Sequence, residues 1–213
     1  MRKIIAGMFI TLDGVVEAPE KWNPPYYDDE LNQAVMPRIA SASAHLYGRR
    51  SYELFRGVFT GPAAPPHAPL MTNTPKFVVS TTVDNPDWGP TTVISRDVSA
   101  TLARVKEQPG GDITVGASGT LVRFLLRERL LDELQLLVHP VVAGSGARLF
   151  EGYGDSLPLT LAHSRATAMA SSRCTTRRPR DSRDGQERGR ATVPGDQHRQ
   201  PLPSRPRRTR RRD

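Results

Sequence analysis

Two stretches of the chain put glycine and hydroxyl residues where a strand would hand over to a helix. They are Leu46-Tyr47-Gly48-Arg49-Arg50-Ser51-Tyr52-Glu53 and Ile113-Thr114-Val115-Gly116-Ala117-Ser118-Gly119-Thr120. A helix start leaves backbone N–H groups unpaired and carries partial positive charge, and a glycine lets an anion come close to that backbone. Two such starts in one small domain suit a dinucleotide with its several phosphates. Between them, Ser80-Thr81-Thr82 ends a valine-rich run. Neutral hydroxyl donors beside a planar cation such as Arg49 are what recognition of an additional ribose phosphate requires. Taken singly, each motif is a common turn and each arginine an ordinary surface charge; the pairing gives them meaning.

Asp13 is the carboxylate placed to donate a proton or to hold a substrate nitrogen, and it reads equally as a turn residue before Gly14. Glu17 and Trp22 fall in the loop that follows, where Trp22 has a face that could stack on a flat heterocycle or simply pack. His139 lies in an apolar run and reads as a core or rim residue. His45, His67 and His139 lack metal-ligand spacing, and the single cysteine is Cys174, so no metal is expected. No serine occupies a G-x-S-x-G elbow, which argues against that hydrolase chemistry.

These groups need a scaffold of alternating strands and helices. Lys3 to Leu12 reads as a buried strand ending at Asp13-Gly14, followed by a proline-containing loop. Asp28-Asp29-Glu30 opens a helix running towards Ala42, with acids at the positive end of its dipole. Strands are expected over Ala44–Tyr47, Phe77–Thr82, Thr91–Ile94, Asp112–Val115 and Leu134–Val142, with a last one starting at Thr160–Ala162. Helices are expected over Asp97–Glu107 and Thr120–Arg129, with a helical turn or two over Arg49–Phe55 before a proline-rich loop. The pattern predicts an α/β fold whose sheet has a working edge at the carboxyl ends of its strands.

In order, Thr11-Leu12-Asp13-Gly14, Gly48-Arg49-x-Ser51-Tyr52-Glu53, Lys76-Phe77-Val78-Val79-Ser80, the Gly116 turn, His139-Pro140-Val141-Val142-x-Gly144-Ser145-Gly146 and Leu149-Phe150 resemble the dihydrofolate-reductase-like superfamily. Within it they are most similar to the RibD C-terminal family of bifunctional deaminase-reductases. The resemblance implies a three-layer α/β fold with a mostly parallel mixed sheet flanked by helices. It implies NADPH along the sheet edge, with Gly48, Arg49 and Ser51 near its phosphates and Ser80 and Thr81 on the adenosine side. Gly116, Ala117, Ser118, Gly119 and Thr120 would lie under the pyrophosphate, although the family usually has glycine where Ala117 stands. The substrate would be a small pyrimidine- or pterin-like heterocycle near Thr11, Glu17 and Trp22, with Asp13 catalytic. The family-level reaction is reduction of 5-amino-6-(5-phosphoribosylamino)uracil, the alternative enzyme is a dihydrofolate reductase, and a homodimer is compatible with the resemblance. No zinc motif or deaminase segment precedes the domain, so the reductase half alone is expected.

Composition divides the chain. Up to Ser164 there are 15 basic and 17 acidic residues, net −2, whereas the remainder has 15 arginines and 5 acids, net +10, summing to the +8 of the whole. From Arg165 on there is no aromatic residue, so too little apolar surface is available to offset the entropy of ordering. The expected division is therefore a reductase domain over 1–164 and a disordered basic tail over 165–213. The tail supports a rival reading as a non-catalytic nucleic-acid-binding protein, but lacks aromatics for base stacking, which leaves non-specific contact with phosphates. Read one base earlier, the codons from Met169-Ala170 onward give glycine, two apolar residues, a small one, another apolar one and His or Tyr. That strand-like series reads as a frameshift near Thr167, which would cost the sheet its last strand and leave a neighbour's edge unpaired. No membrane span, signal cleavage site or disulfide framework is evident, and a cytoplasmic location is expected.

Overall fold

The computed structural model describes residues 1–154, 156–166 and 172–177. Among them run strands β1 (Ile4–Thr11), β2 (Ala44–Gly48), β3 (Lys76–Val79), β4 (Thr91–Ile94), β5 (Ile113–Gly116), β6 (Glu133–His139), β7 (Thr160–Ala166) and β8 (Ser172–Arg177). The helices are α1 (Asp29–Ser41), α2 (Arg49–Thr60), α3 (Ala68–Asn73), α4 (Val98–Glu107) and α5 (Gly119–Arg127). The strands form one sheet in the order β4-β3-β2-β5-β1-β6-β8-β7. The first six are parallel and β8 and β7 antiparallel, giving the mixed, mostly parallel sheet expected.

Alternation along each strand decides which helix covers which face. Ile4, Ala6, Met8 and Ile10 of β1 join Leu46, Ile113, Val115 and Leu134, and α4 and α5 close over them with Leu102, Val105, Leu121, Val122 and Leu125. Each such side chain contributes roughly 1.5–3 kcal/mol on burial, so this face is the principal core. On the other face Tyr47 and Val78 meet Tyr52 of α2, Met71 of α3 and the fully buried Trp88. On that side β1 presents Ile5, Gly7, Phe9 and Thr11 and β6 presents Glu133, Gln135, Leu137 and His139, a more polar mixture than the core opposite.

Several expectations are corrected. The strand expected to reach Thr82 stops at Val79, because the Ser80 hydroxyl turns back to accept the N–H groups of Thr82 and Val83 at 3.0 and 3.1 Å. The strand expected to reach Val142 stops at His139, before Pro140, which has no N–H for the ladder. The short turn at Arg49 continues as α2 to Thr60, and α3 forms within the proline-rich segment with proline in its first turn. The division at Ser164 is also corrected. β7 runs to Ala166 and β8 lies within the presumed tail, where it needs no aromatic residue because backbone pairing with β6 and β7 holds it. The predicted open edge of β6 is thus covered. The other residues of the presumed tail lie outside the described residues. Among those described, no helix is long and apolar enough to cross a membrane.

Candidate functional site

The two glycine-opened helix starts meet. Because β2 and β5 are neighbours and parallel, α2 and α5 both begin at the same sheet edge. The Gly48 N–H donates to Ser118 Oγ at 3.2 Å, the Ser118 hydroxyl donates to Ser51 Oγ at 2.7 Å, and Ser51 donates to the Ala117 carbonyl at 3.0 Å. Ser51 and Ser118 are 7% and 6% exposed, so these bonds sit in a low-dielectric seam. Neither helix start has a side-chain cap, which leaves first-turn N–H groups for an anion. Ala117 adopts φ 51°, a left-handed conformation that costs a non-glycine residue about 1 kcal/mol.

The other residues expected beside the cofactor follow along the same edge. Val79 is the register partner of Gly48, so Ser80 and Thr81 continue from the adjacent strand end. The order β3, β2, β5 sets Ser80, Gly48 and Gly116 near one level over two inter-strand spacings, about 10 Å, while β1 runs four residues beyond Gly7, the register partner of Gly116, to end at Thr11. Arg49 is exposed and pairs with Glu53 at 3.6 Å; Thr81, Arg50 and Thr120 are exposed. The donor set fits an extended pyrophosphate-bearing nucleotide.

Asp13 is differently employed. Thr11 Oγ1 donates to Asp13 Oδ1 at 2.6 Å, the Ala143 and Gly144 N–H groups donate to the two carboxylate oxygens at 3.0 and 2.9 Å, and Arg148 Nη2 lies 3.5 Å away. The Thr11 hydroxyl first, then the two N–H groups, hold Asp13 down at about 2. Both oxygens of Asp13 are thus engaged, and the carboxylate binds residues 143–148 to the turn after β1. Glu17 Oε2 accepts the Ala147 N–H at 2.8 Å and does the same for the far side of that loop. Thr11 is 2% exposed and its hydroxyl also accepts the Val15 N–H at 2.9 Å. Thr11, Asp13 and Glu17 therefore zip the turn after β1 onto residues 143–148, and the Gly144-Ser145-Gly146 motif is their partner. Gly146 has φ 115°, and a Cβ there would come within 2.9 Å of Val15.

Trp22 lies over the sheet, with its ring 5.2 Å from His139 and its N–H donating to the Glu17 carbonyl at 3.0 Å. Four residues back along β1 from Thr11, the register partner of His139, is a feature that reading the motifs missed. Gly7 of β1 and Gly116 of β5 are register partners on the face turned towards α1 and α2, and a Cβ built on Gly7 would meet nothing within 4 Å. The hollow is bounded in register by Gln135, which is 4% exposed. Strict alternation along β1 places Gly7 opposite the core residues Ala6 and Met8, and that was the available signal. Nearby, His45 Nδ1 pairs with Thr114 Oγ1 at 2.7 Å; burial, with the charge of Lys76 adding to it, takes this imidazole to about 4 and keeps it neutral. Among the described residues no cluster of His, Cys, Asp or Glu could hold a metal ion.

Comparison with known proteins agrees with this architecture. A model of the RibD C-terminal domain matches residues 2–170. An uncharacterized protein of Bacillus subtilis (strain 168), YyaP, is 28% identical over 176 residues, covering 77% of this chain and 88% of that one. A deaminase/5-amino-6-(5-phosphoribosylamino)uracil reductase from Thermotoga maritima superposes with a TM-score of 0.62 at 15% identity, over 84% of this chain and 57% of that one. Dihydrofolate reductase from Enterococcus faecalis, solved with NADP(H), superposes with a TM-score of 0.55 at 14% identity, over 83% and 96% of the two chains. At such identities the two superpositions establish the shared fold.

Proposed function

Because the chain belongs to the RibD C-terminal domain family, we propose that it is an NADPH-dependent reductase of a pyrimidine- or pterin-like heterocycle, with 5-amino-6-(5-phosphoribosylamino)uracil as the family-level substrate. The observation that carries the reading is the hydrogen-bonded seam Gly48–Ser118–Ser51–Ala117, which joins two uncapped helix starts at one sheet edge. The first turns of α2 and α5 would receive the pyrophosphate, and Arg49 or Arg50 with Ser80 and Thr81 would receive the ribose phosphate. A reduced nicotinamide supplies hydride when bound.

This chain's own residues provide the setting. Gly7 leaves room for a flat ring against the sheet, with Phe55 lying over Gly116 beside it, and Trp22 covers His139 further along the strands. Asp13 and Glu17 hold the 143–148 loop in place.

Titration of NADPH into the full chain, followed by nicotinamide fluorescence, tests the reading. The expected result is saturable binding with enhanced emission at salt concentrations that suppress contacts with the arginine-rich segment. Absence of saturable binding would overturn it.

A further inference from the structure

His139 ends β6 beside Thr11 of β1, and none of its surface is exposed. Its Nδ1 lies 2.8 Å from the Leu137 carbonyl, and a carbonyl only accepts, so the ring proton sits on Nδ1 and Nε2 presents a lone pair. That Nε2 is buried and makes no hydrogen bond. Burial also lowers the affinity of the ring for a second proton, against the opposing pull of the Leu137 and Ile10 carbonyls.

The surroundings supply shape, and no donor among them bonds Nε2. Phe9, Trp22 and Tyr26 stand edge-on to the imidazole, with centroids at 5.4, 5.2 and 5.8 Å, and the indole N–H of Trp22 is already given to Glu17. Trp22 and Tyr26 flank Asn23, which is 7% exposed and whose Oδ1 is likewise buried without a partner. Buried polar atoms are normally paired, because leaving one unpaired forfeits its hydration. Both of these unspent atoms are acceptors, and both lie where the segment from Pro19 to Tyr27 covers the sheet.

We propose that, as Pro19–Tyr27 lifts from the sheet, His139 Nε2 accepts a hydrogen bond from the N–H-bearing edge of the heterocyclic substrate. This assignment rests on the reductase reading above and adds a selection rule to it. The ring enters between Phe9 and Trp22 as the covering segment lifts. A ring that turns a lone pair or an N-alkyl group towards His139 leaves the imidazole unsatisfied and is rejected. His139 is thus a specificity-determining residue, separate from the edge that would hold the cofactor.

Calorimetric titration of the full chain saturated with NADP+ tests this, using 5,6-diaminouracil and 1,3-dimethyluracil, a flat ring of the same core without an N–H. The wild type is expected to prefer the diamino ring by about tenfold or more, the value of roughly one net hydrogen bond. His139→Leu and His139→Phe, neither of which has an acceptor, should lose that preference to within about threefold while NADP+ affinity stays unchanged. His139→Gln, which restores an acceptor, should recover part of it. His139→Phe also refills the aromatic nest, so failure of the leucine variant to fold leaves the test standing. Equal binding of the two rings by the wild type, or an undiminished preference in an acceptor-free variant that still binds NADP+, would overturn the assignment. Failure of the wild type to bind NADP+ at all is the distinct outcome that removes the reductase reading beneath it.

Discussion

Replacing Ser118 by alanine removes the middle of the seam that holds the two helix starts together. The Ser118 hydroxyl accepts the Gly48 N–H and donates to Ser51. Two net hydrogen bonds contribute about 1–3 kcal/mol together, and the Gly48 N–H, now without its acceptor, brings part of a desolvation penalty of about 1–3 kcal/mol. A loss of about 2–3 kcal/mol of stability is therefore expected, a sizeable fraction of the 5–15 kcal/mol typical of a domain. Ser51→Ala should cost a comparable amount, because it too removes two hydrogen bonds, the one from Ser118 and the one to the Ala117 carbonyl. The double variant should fall short of the sum by about 1 kcal/mol, since both changes break the same Ser118–Ser51 contact. Urea unfolding followed by circular dichroism measures these differences. NADPH titration of the folded variants should show about tenfold weaker binding for Ser118→Ala, as the α2 and α5 starts are no longer held at a fixed spacing. A Ser118→Ala protein destabilised as calculated but binding NADPH within twofold of wild type would refute the inference that the seam serves the cofactor.

Three further outcomes follow. Gly7→Val should fold at least as stably as wild type, since its new Cβ meets nothing within 4 Å and valine suits a strand, yet lose heterocycle binding more than tenfold with NADPH affinity retained; calorimetry and thermal unfolding check both. Asp13→Asn should speed tryptic cleavage at Arg148 and leave the shape of the pH–activity profile between about pH 5 and 8 unchanged, whereas loss of a limb of that profile would restore Asp13 as the acid. In the wild type the Asp13 value of about 2 lies below its ordinary 3.8, so the clamp is fully present above about pH 4 and is lost as pH falls towards 2. Burial pulls Lys76 from 10.5 to about 8, which means the folded state favours the neutral amine. Stability should rise as pH climbs from about 8 to 10.5, and Lys76→Met should abolish that rise in urea titrations repeated across the range.

Much of the scaffold was legible because its signals are local. The run Ile4–Thr11, the acids opening α1, and the glycine turns at Gly48 and Gly116 each specify their own element, and parallel pairing then brings the two turns together. What was not legible depends on partners far along the chain. Asp13 and Glu17 looked chemically available until residues 143–148 supplied the N–H groups that occupy them. The hollow at Gly7 depends on what its neighbours in register leave uncovered, with Phe55 over Gly116 on one side and Gln135 on the other. His139 read as filler in an apolar run, and its unspent nitrogen is visible only with Phe9, Trp22 and Tyr26 around it. β8 was missed because Ser172–Arg177 lacks the apolar alternation of a strand, and neighbouring backbone decided its state where side chains did not.

The order β6-β8-β7 means that the final strand is inserted inside the sheet, and the strand preceding it takes the rim. A chain emerging from the ribosome amino end first can assemble the six parallel strands while β6 still shows a bare flank to the surrounding solution. That flank is sealed only when Ser172–Arg177 has cleared the exit tunnel and the β7–β8 hairpin docks as a unit. Closure of this sheet is thereby tied to the synthesis of residues 172–177, and the interval before docking is when nascent chains are most exposed to pairing with one another.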